Sequence, residues 1–376
     1  MQCKLRHRLL RSPLAIAGVL AVLVAAAVAA GSSLGSTTRA VKALRSHSIK
    51  GMTVAVSVPQ EVDPYFIAIT NYFKKAAQAQ GLKVLTANAN GSVATQVQQV
   101  ESFVSEGVKA IAIDSINDQT IVPAIKDANA HGIPVFTIDT QPYASAMKAE
   151  GAHIVQTVES NNPECGRVST DEMLAWLHGK SAVIGKVILP LAQSTVDRNN
   201  SFQTIMKSHR NDKVVATVNG EAQYAVALTV TQQMLSGHPN INTVWTTDGP
   251  AATGAIRAII GKHLVGKVHV FGNATVVPAD QAIESGKVMV AGATQFPSVE
   301  GATIGYDLGQ YLSGKHNQTY LEFTPCNPVT HANSRVVTAY NTAVFAGSGK
   351  EPVQVLLHGK FYQFEAHGKL KQVTLP

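Results

Sequence analysis

Charge is scarce in this sequence: Asp, Glu, Lys and Arg make up 15% of the chain while 45% is hydrophobic. A disordered, solvated polypeptide is thereby excluded. No run of lysine or arginine occurs, so nothing forms a phosphate-binding stripe, and no nucleic-acid partner is expected. Cysteine is almost absent, with three in 376 residues. A chain this long buries enough surface to hold a core without disulfides. No two of the cysteines have zinc spacing and no HExxH occurs among the 13 histidines, so a metal site is not expected. Gly347-Ser348-Gly349-Lys350 resembles a phosphate loop only superficially. Val344 stands where a Walker loop needs its first glycine, and Glu351 replaces the hydroxyl residue that holds magnesium. Neither cofactor nor catalysis is expected.

The few cations are unevenly placed. Lys4, Arg6, Arg8 and Arg11 precede an apolar stretch from Leu14 to Ala30 that ends in small residues, Ala27-Val28-Ala29-Ala30-Gly31-Ser32-Ser33. This is the pattern of a cleaved secretory signal peptide, assigned here to residues 1–30; a retained membrane anchor is the alternative. Without those residues the net charge falls from +7 to +3, 27 cations against 24 acids. The mature protein is expected in the periplasm or otherwise outside the cytoplasmic membrane.

From Lys50 onward, short β-rich runs alternate with helix-length amphipathic segments. The first set of runs is 53–59, 83–89, 110–115, 134–140 and 154–160; the second is 186–193, 214–220, 242–249, 268–273 and 288–295. Helical spacing fills the gaps, and Gly81, Gly107 and Gly132 close the first three helices. Two such sets imply an α/β fold of two doubly wound parallel-sheet domains. Ligands of such sheets lie beyond the carboxyl ends of the strands. There stand Asp63, Tyr65, Phe66, Ser115, Asn117, Asp139 and Thr140 in the first set, and Arg198, Gln223, Tyr224, Thr247, Asp248, Asn273 and Gln295 in the second. Carboxylate, guanidinium and amide groups hydrogen-bond hydroxyls while rings pack on C–H faces, which suits a small polyhydroxylated ligand. For each Asp, Asn, Ser or Thr, helix capping is the competing role.

Taken in order, TVAVSVPQEVDPYF, AIAIDSINDQT, GIPVFTIDT, ESNNPECG, DRNNSF, VWTTDGPAATGAIRAI and GATQFP resemble the periplasmic sugar-binding proteins of the ribose- and galactose-binding type, from about Gly51 to Thr330. The resemblance implies the type I periplasmic-binding-protein fold, with ring stacking from Tyr65 and Phe66, a carboxylate clamp from Asp139, and cross-domain hydrogen bonds from Arg198 and Gln295. It also implies departures. Thr140 replaces the family's usual Arg, the Asn expected at Thr247 is missing, and Asn273 carries an amide in place of a carboxylate, so ribose itself is not implied.

Three chain crossings in a common hinge follow from the same resemblance, near 160–161, 295–296 and 324–325. They divide the chain into a first domain of 51–160 with 296–324 and a second of 161–295 with 325–330. With the crossings together, Cys165 and Cys326 are expected to form a disulfide. The expected role is that of a monomeric binding protein delivering a small carbohydrate or polyol to the permease of an ABC importer. Presentation of the ligand to a chemoreceptor or sensor kinase is the other reading. Residues 331–376 form a C-terminal extension, with helical spacing over 334–345 and three short strands read as a small meander packed on one domain.

Overall fold

The computed structural model describes residues 48–273, 276–346, 352–364 and 370–374; the leader segment and the Gly347–Lys350 stretch lie outside them. The first lobe runs β1 (Thr53–Val58), α1 (Pro64–Ala79), β2 (Lys83–Asn88), α2 (Val93–Ser105), β3 (Ile111–Ile113), α3 (Val122–Ala130), β4 (Val135–Ile138), α4 (Ala144–Glu150) and β5 (Gln156–Ser160). The second runs α5 (Asn162–Leu177), β6 (Val183–Ile188), α6 (Gln193–Met206), β7 (Lys213–Asn219), α7 (Tyr224–Gly237), β8 (Thr243–Thr246), α8 (Gly249–Gly261), β9 (His269–Asn273), α9 (Val277–Ser285) and β10 (Met289–Thr294). The chain then returns to the first lobe for α10 (Pro297–Leu312) and β11 (Leu321–Thr324), and crosses again for β12 (Asn327–Val329).

Both sheets have the same plan. The first is ordered β11-β5-β4-β3-β1-β2, all parallel; the second is β12-β10-β9-β8-β6-β7, parallel except for β12, which pairs antiparallel with β10. Helices cover both faces, so β1, β3 and β4 read as nearly unbroken apolar runs, as parallel strands buried on two sides must. Strand order reverses between β1 and β3 in one lobe and between β6 and β8 in the other. These are the points where a doubly wound sheet opens a crevice.

Two elements differ from the sequence reading. The strand expected at 186–193 is β6 at Val183–Ile188, and α6 already begins at Gln193, inside the expected strand. Leu189, Pro190 and Leu191 extended the apolar run without belonging to the strand. Helix α4 and strands β11 and β12 had no strong periodicity and were not anticipated.

The hinge is held by side chains as well as backbone. Asn161 N donates to Thr324 O at 2.8 Å. Buried Glu300, in the first turn of α10, accepts from Ser160 Oγ at 2.6 Å and Thr324 Oγ1 at 2.8 Å on its Oε1. One carboxylate oxygen thus joins the first and third crossings from the helix that follows the second. Cys165, in the first turn of α5, and Cys326, between β11 and β12, are bonded to each other with Cα atoms 5.0 Å apart. Behind the hinge, α10 packs against α1 at backbone distance: a Cβ on Gly301 would lie 2.3 Å from Ile69 O, which only glycine avoids.

The extension comprises α11 (Ser334–Ala346) and an antiparallel sheet of β13 (Gln354–Leu357), β14 (Lys360–Phe364) and β15 (Leu370–Val373). The sheet packs on the first lobe, where Leu356 N donates to Thr303 Oγ1 at 2.8 Å. The helix, however, touches both lobes, which the sequence reading did not foresee. Tyr340 Oη lies 3.2 Å from Ser298 Oγ of α10, while Asn341 Nδ2 donates to Asp280 Oδ2 of α9 at 2.7 Å.

Candidate ligand-binding cleft

A cleft of about 310 Å³ opens where the two crevices face each other. From the first lobe it is lined by Asp63, Tyr65, Phe66, Asp114, Ser115, Asp139 and Thr140, and from the second by Arg198, Gln223, Asp248 and, at the hinge, Gln295. Apolar walls come from Val93, Leu189, Leu191 and Val276.

Each polar group is positioned by the end of an element. Asp63 is the N-cap of α1: its Oδ1 accepts from Tyr65 N at 3.0 Å, and Pro64 occupies the first turn. The capping role anticipated for it is therefore real, yet the same carboxylate lines the cleft. Burial, with a smaller contribution from the charges of Asp248 and Asp139, pushes its pKa up to about 6. Asp139 leaves β4 with φ 64, a left-handed backbone conformation that a non-glycine residue adopts at some cost. Its Oδ1 accepts from Tyr65 Oη at 2.6 Å. Burial raises its pKa, opposed by the Arg198 charge and the Tyr65 bond.

Tyr65 Oη also lies 3.1 Å from Glu300 Oε2 and accepts from Gln295 Nε2 at 3.3 Å. One hydroxyl proton serves one acceptor, so with Asp139 ionised the Glu300 contact needs a proton on Glu300, whose pKa burial and the Asp139 charge push up to about 7. Gln295 Nε2 donates to Ser160 Oγ at 3.0 Å as well. The cleft and the hinge thus share one hydrogen-bond network.

In the second lobe, Arg198 is almost fully buried. Its Nε and Nη2 donate to Asn162 Oδ1 at 2.8 and 2.6 Å, and Nη1 donates to Thr247 O at 3.0 Å. Nη1 and Nη2 each carry a second N–H for a ligand. Asp248 caps α8, accepting from Ala251 N at 2.8 Å and from Thr247 Oγ1 at 2.9 Å. The lobes touch across the mouth of the cleft: Gln193 N, at the start of α6, donates to Asp118 Oδ2 at 2.8 Å, and Gln60 Nε2 reaches Ala222 O at 3.5 Å. Asp118 is itself held by Thr140 Oγ1 at 2.8 Å and by Ser115 Oγ.

Four of the residues anticipated in the cleft, Asn117, Tyr224, Thr247 and Asn273, do not line it. Tyr224 opens α7 and is 42% exposed. Thr247 is buried beneath the cleft, its hydroxyl spent on Asp248 and on the Leu189 N–H. Asn273 is buried too, donating from Nδ2 to Thr247 O at 3.0 Å. Tyr224, Thr247 and Asn273 sit one position beyond, or one layer below, the crevice. Asn117 caps the turn before α3, accepting from Gln119 N and Thr120 N. Asp114, the first residue past β3, lines the cleft although it is not among the residues expected from the sequence. The signal was present, since it directly follows the apolar Ile111–Ile113 run.

The family model of the periplasmic binding protein domain matches residues 54–316. Among curated proteins, a ribose import binding protein of Bacillus subtilis is 29% identical over 219 residues, 58% of this chain and 68% of the relative. Its Escherichia coli counterpart is 25% identical over 252 residues, covering 66% and 81%. Among solved structures, the arabinose transporter's binding protein from Shewanella, bound to arabinofuranose, superposes with TM-score 0.72 at 21% identity, covering 80% of this chain and 99% of that one. A solute-binding protein of Actinobacillus succinogenes with bound D-allose gives TM-score 0.68 at 22% identity, covering 76% and 99%. Since the matched region runs through both lobes and the first two crossings, the chain belongs to the periplasmic binding protein domain family.

Proposed function

We propose that this protein is an extracytoplasmic solute-binding protein that captures a small carbohydrate or polyol between its lobes and delivers it to an ABC importer. The observation that carries the reading is the convergence of buried Asp139 and Arg198, from opposite lobes, on one cleft with the Tyr65 and Phe66 rings. Neither lobe alone surrounds a ligand, so binding and closure are one event. The import binding proteins among its relatives support the transport role, and the sugars held by its structural neighbours support the ligand class. Export fits the bonded Cys165 and Cys326, because disulfides persist in oxidising compartments. The protein acts by binding, without turnover.

A thermal-shift screen of the intact protein against monosaccharides, polyols and their amino derivatives tests the proposal. A ligand at about 100 times its Kd stabilises by about 2.7 kcal/mol, a readily seen shift. No shift across the panel, or consumption of the ligand during incubation, would overturn it.

A further inference from the structure

Acidic side chains outnumber basic ones around the cleft. Asp63, Asp114, Asp139 and Asp248 line it and are each at most 9% exposed, against the single cation Arg198. Glu221 lines the mouth but is solvent-exposed, where water screens it. Two of the four aspartates are partly answered. Asp63 and Asp248 cap the positive ends of α1 and α8. They belong to opposite lobes, so closure brings like charges toward one another.

Asp114 is not answered. Its side chain makes no hydrogen bond, the residue is 1% exposed, and its Oδ2 is fully buried without a partner. A buried carboxyl without a partner is costly to ionise, and burial with the nearby Asp139 and Glu300 charges holds the Asp114 pKa well above its ordinary value, so the group keeps a proton until a cation takes that proton's place. Arg198 is no counter-ion for it. Three of its nitrogens are already engaged by Asn162 and by the Thr247 carbonyl in the other lobe.

Building on the carbohydrate reading above, we infer that the ligand is a cationic one: a small polyhydroxylated amine, such as an amino sugar or amino polyol, whose ammonium group pairs with Asp114. The hydroxyls of a neutral sugar can donate to carboxylates, but they bring no charge to offset the repulsion between Asp63 and Asp248. An ammonium group does both. Its N–H donors form charge-assisted bonds to Asp114, and its charge neutralises the cleft as the lobes close. A metal ion does not fit the role, because among the described residues no three His, Cys, Asp or Glu side chains gather closely enough to hold one. An organic cation carrying its own hydroxyls uses the spread of acceptors that a bare ion would not.

The test is calorimetric titration of the intact protein with matched pairs: glucosamine, galactosamine and mannosamine against the parent hexoses and their neutral N-acetyl forms, and glucamine against sorbitol. At least one amine is expected to bind ten-fold or more tightly than both its hydroxyl and N-acetyl counterparts. Asp114→Asn, close in shape, is expected to reduce that amine's affinity at least ten-fold and to narrow its advantage over the neutral counterpart to less than threefold. If every neutral member binds as well as its amine, the inference fails while the carbohydrate reading stands. If nothing in the panel binds, the carbohydrate reading fails and this inference with it. An amine preference that survives in Asp114→Asn overturns Asp114 as the counter-ion. The pairwise comparison on the unaltered protein decides the charge question even if the variant does not fold.

Discussion

Asp139 and Glu300 meet on one hydroxyl: Tyr65 Oη lies 2.6 Å from the first and 3.1 Å from the second. Asp139 faces the cleft and Glu300 holds two hinge crossings together, so a single phenol connects the ligand's surroundings to the moving part of the molecule.

Asp139→Asn is expected to weaken ligand binding by roughly 1.5–3 kcal/mol, about 10- to 150-fold, the contribution of a charged hydrogen bond. Melting of the unliganded protein should stay level or rise, because the substitution removes a carboxylate whose charged form is disfavoured by burial. Titration calorimetry and melting curves measure both. Affinity within twofold of the parent would place the ligand elsewhere.

Arg198→Ala behaves differently. Besides facing the cleft, the guanidinium satisfies buried Asn162 Oδ1 and Thr247 O. Melting is therefore expected to drop along with affinity, by about 1–3 kcal/mol for each acceptor left bare. An unchanged melting temperature would show that water replaces the guanidinium freely.

Stability of the unliganded protein should fall as pH rises. Burial raises Asp63 and Asp118 from 3.8 to about 6, Glu300 from 4.5 to about 7 and Glu159 from 4.5 to about 8. Each binds its proton more tightly when folded, so ∂ΔG/∂pH is negative between the unfolded and folded values, roughly pH 4 to 8. Melting at pH 5 is expected above that at pH 8, with Glu300→Gln flattening part of the slope. A flat or rising profile would contradict the assigned burial of these carboxylates.

Asp118→Ala removes the acceptor for Gln193 N at the mouth and should favour opening. Small-angle scattering of the unliganded variant is expected to give a larger radius of gyration than the parent. By contrast, Tyr224→Ala, outside the cleft, should leave affinity within twofold. Equal radii in the first case, or a tenfold loss in the second, would redraw the mouth.

In protein denatured without reductant, Cys165 and Cys326 are expected to resist alkylation and to react only after reduction. Their separation of 161 residues gives a cross-link worth up to roughly 5 kcal/mol on chain-entropy grounds. Mass spectrometry of the two peptides decides it; labelling of both before reduction would rule the bond out.

Much of this was legible in the sequence, for identifiable reasons. Parallel strands covered on both faces leave unbroken apolar runs, so β1, β3, β4 and β8 declared themselves, and the residue after a strand is where such folds place ligands. That rule located Asp139 and Gln295. It failed where the strand end was misjudged by a residue or more: Leu189 and Leu191 prolonged an apolar run past β6 because they line the cleft wall. It also could not tell Asp248 from Thr247, since adjacent residues at a strand end point to opposite sides. The Asp118–Gln193 and Glu300–Ser160 contacts join residues 75 and 140 positions apart, pairings with no local periodicity to announce them.

Helix α11 adds a fourth connection to the three strands that join the lobes. It is anchored through Tyr340 to α10 and through Asn341 to buried Asp280 on α9. Three crossings side by side define an axle and leave the angle of swing open; a strut fastened off that axle sets a stop. Any rotation that draws α9 away from α10 must stretch this strut, or break the Asn341–Asp280 pair. The gape of the jaws, and with it the girth of molecule admitted, is then governed by a segment that touches no ligand.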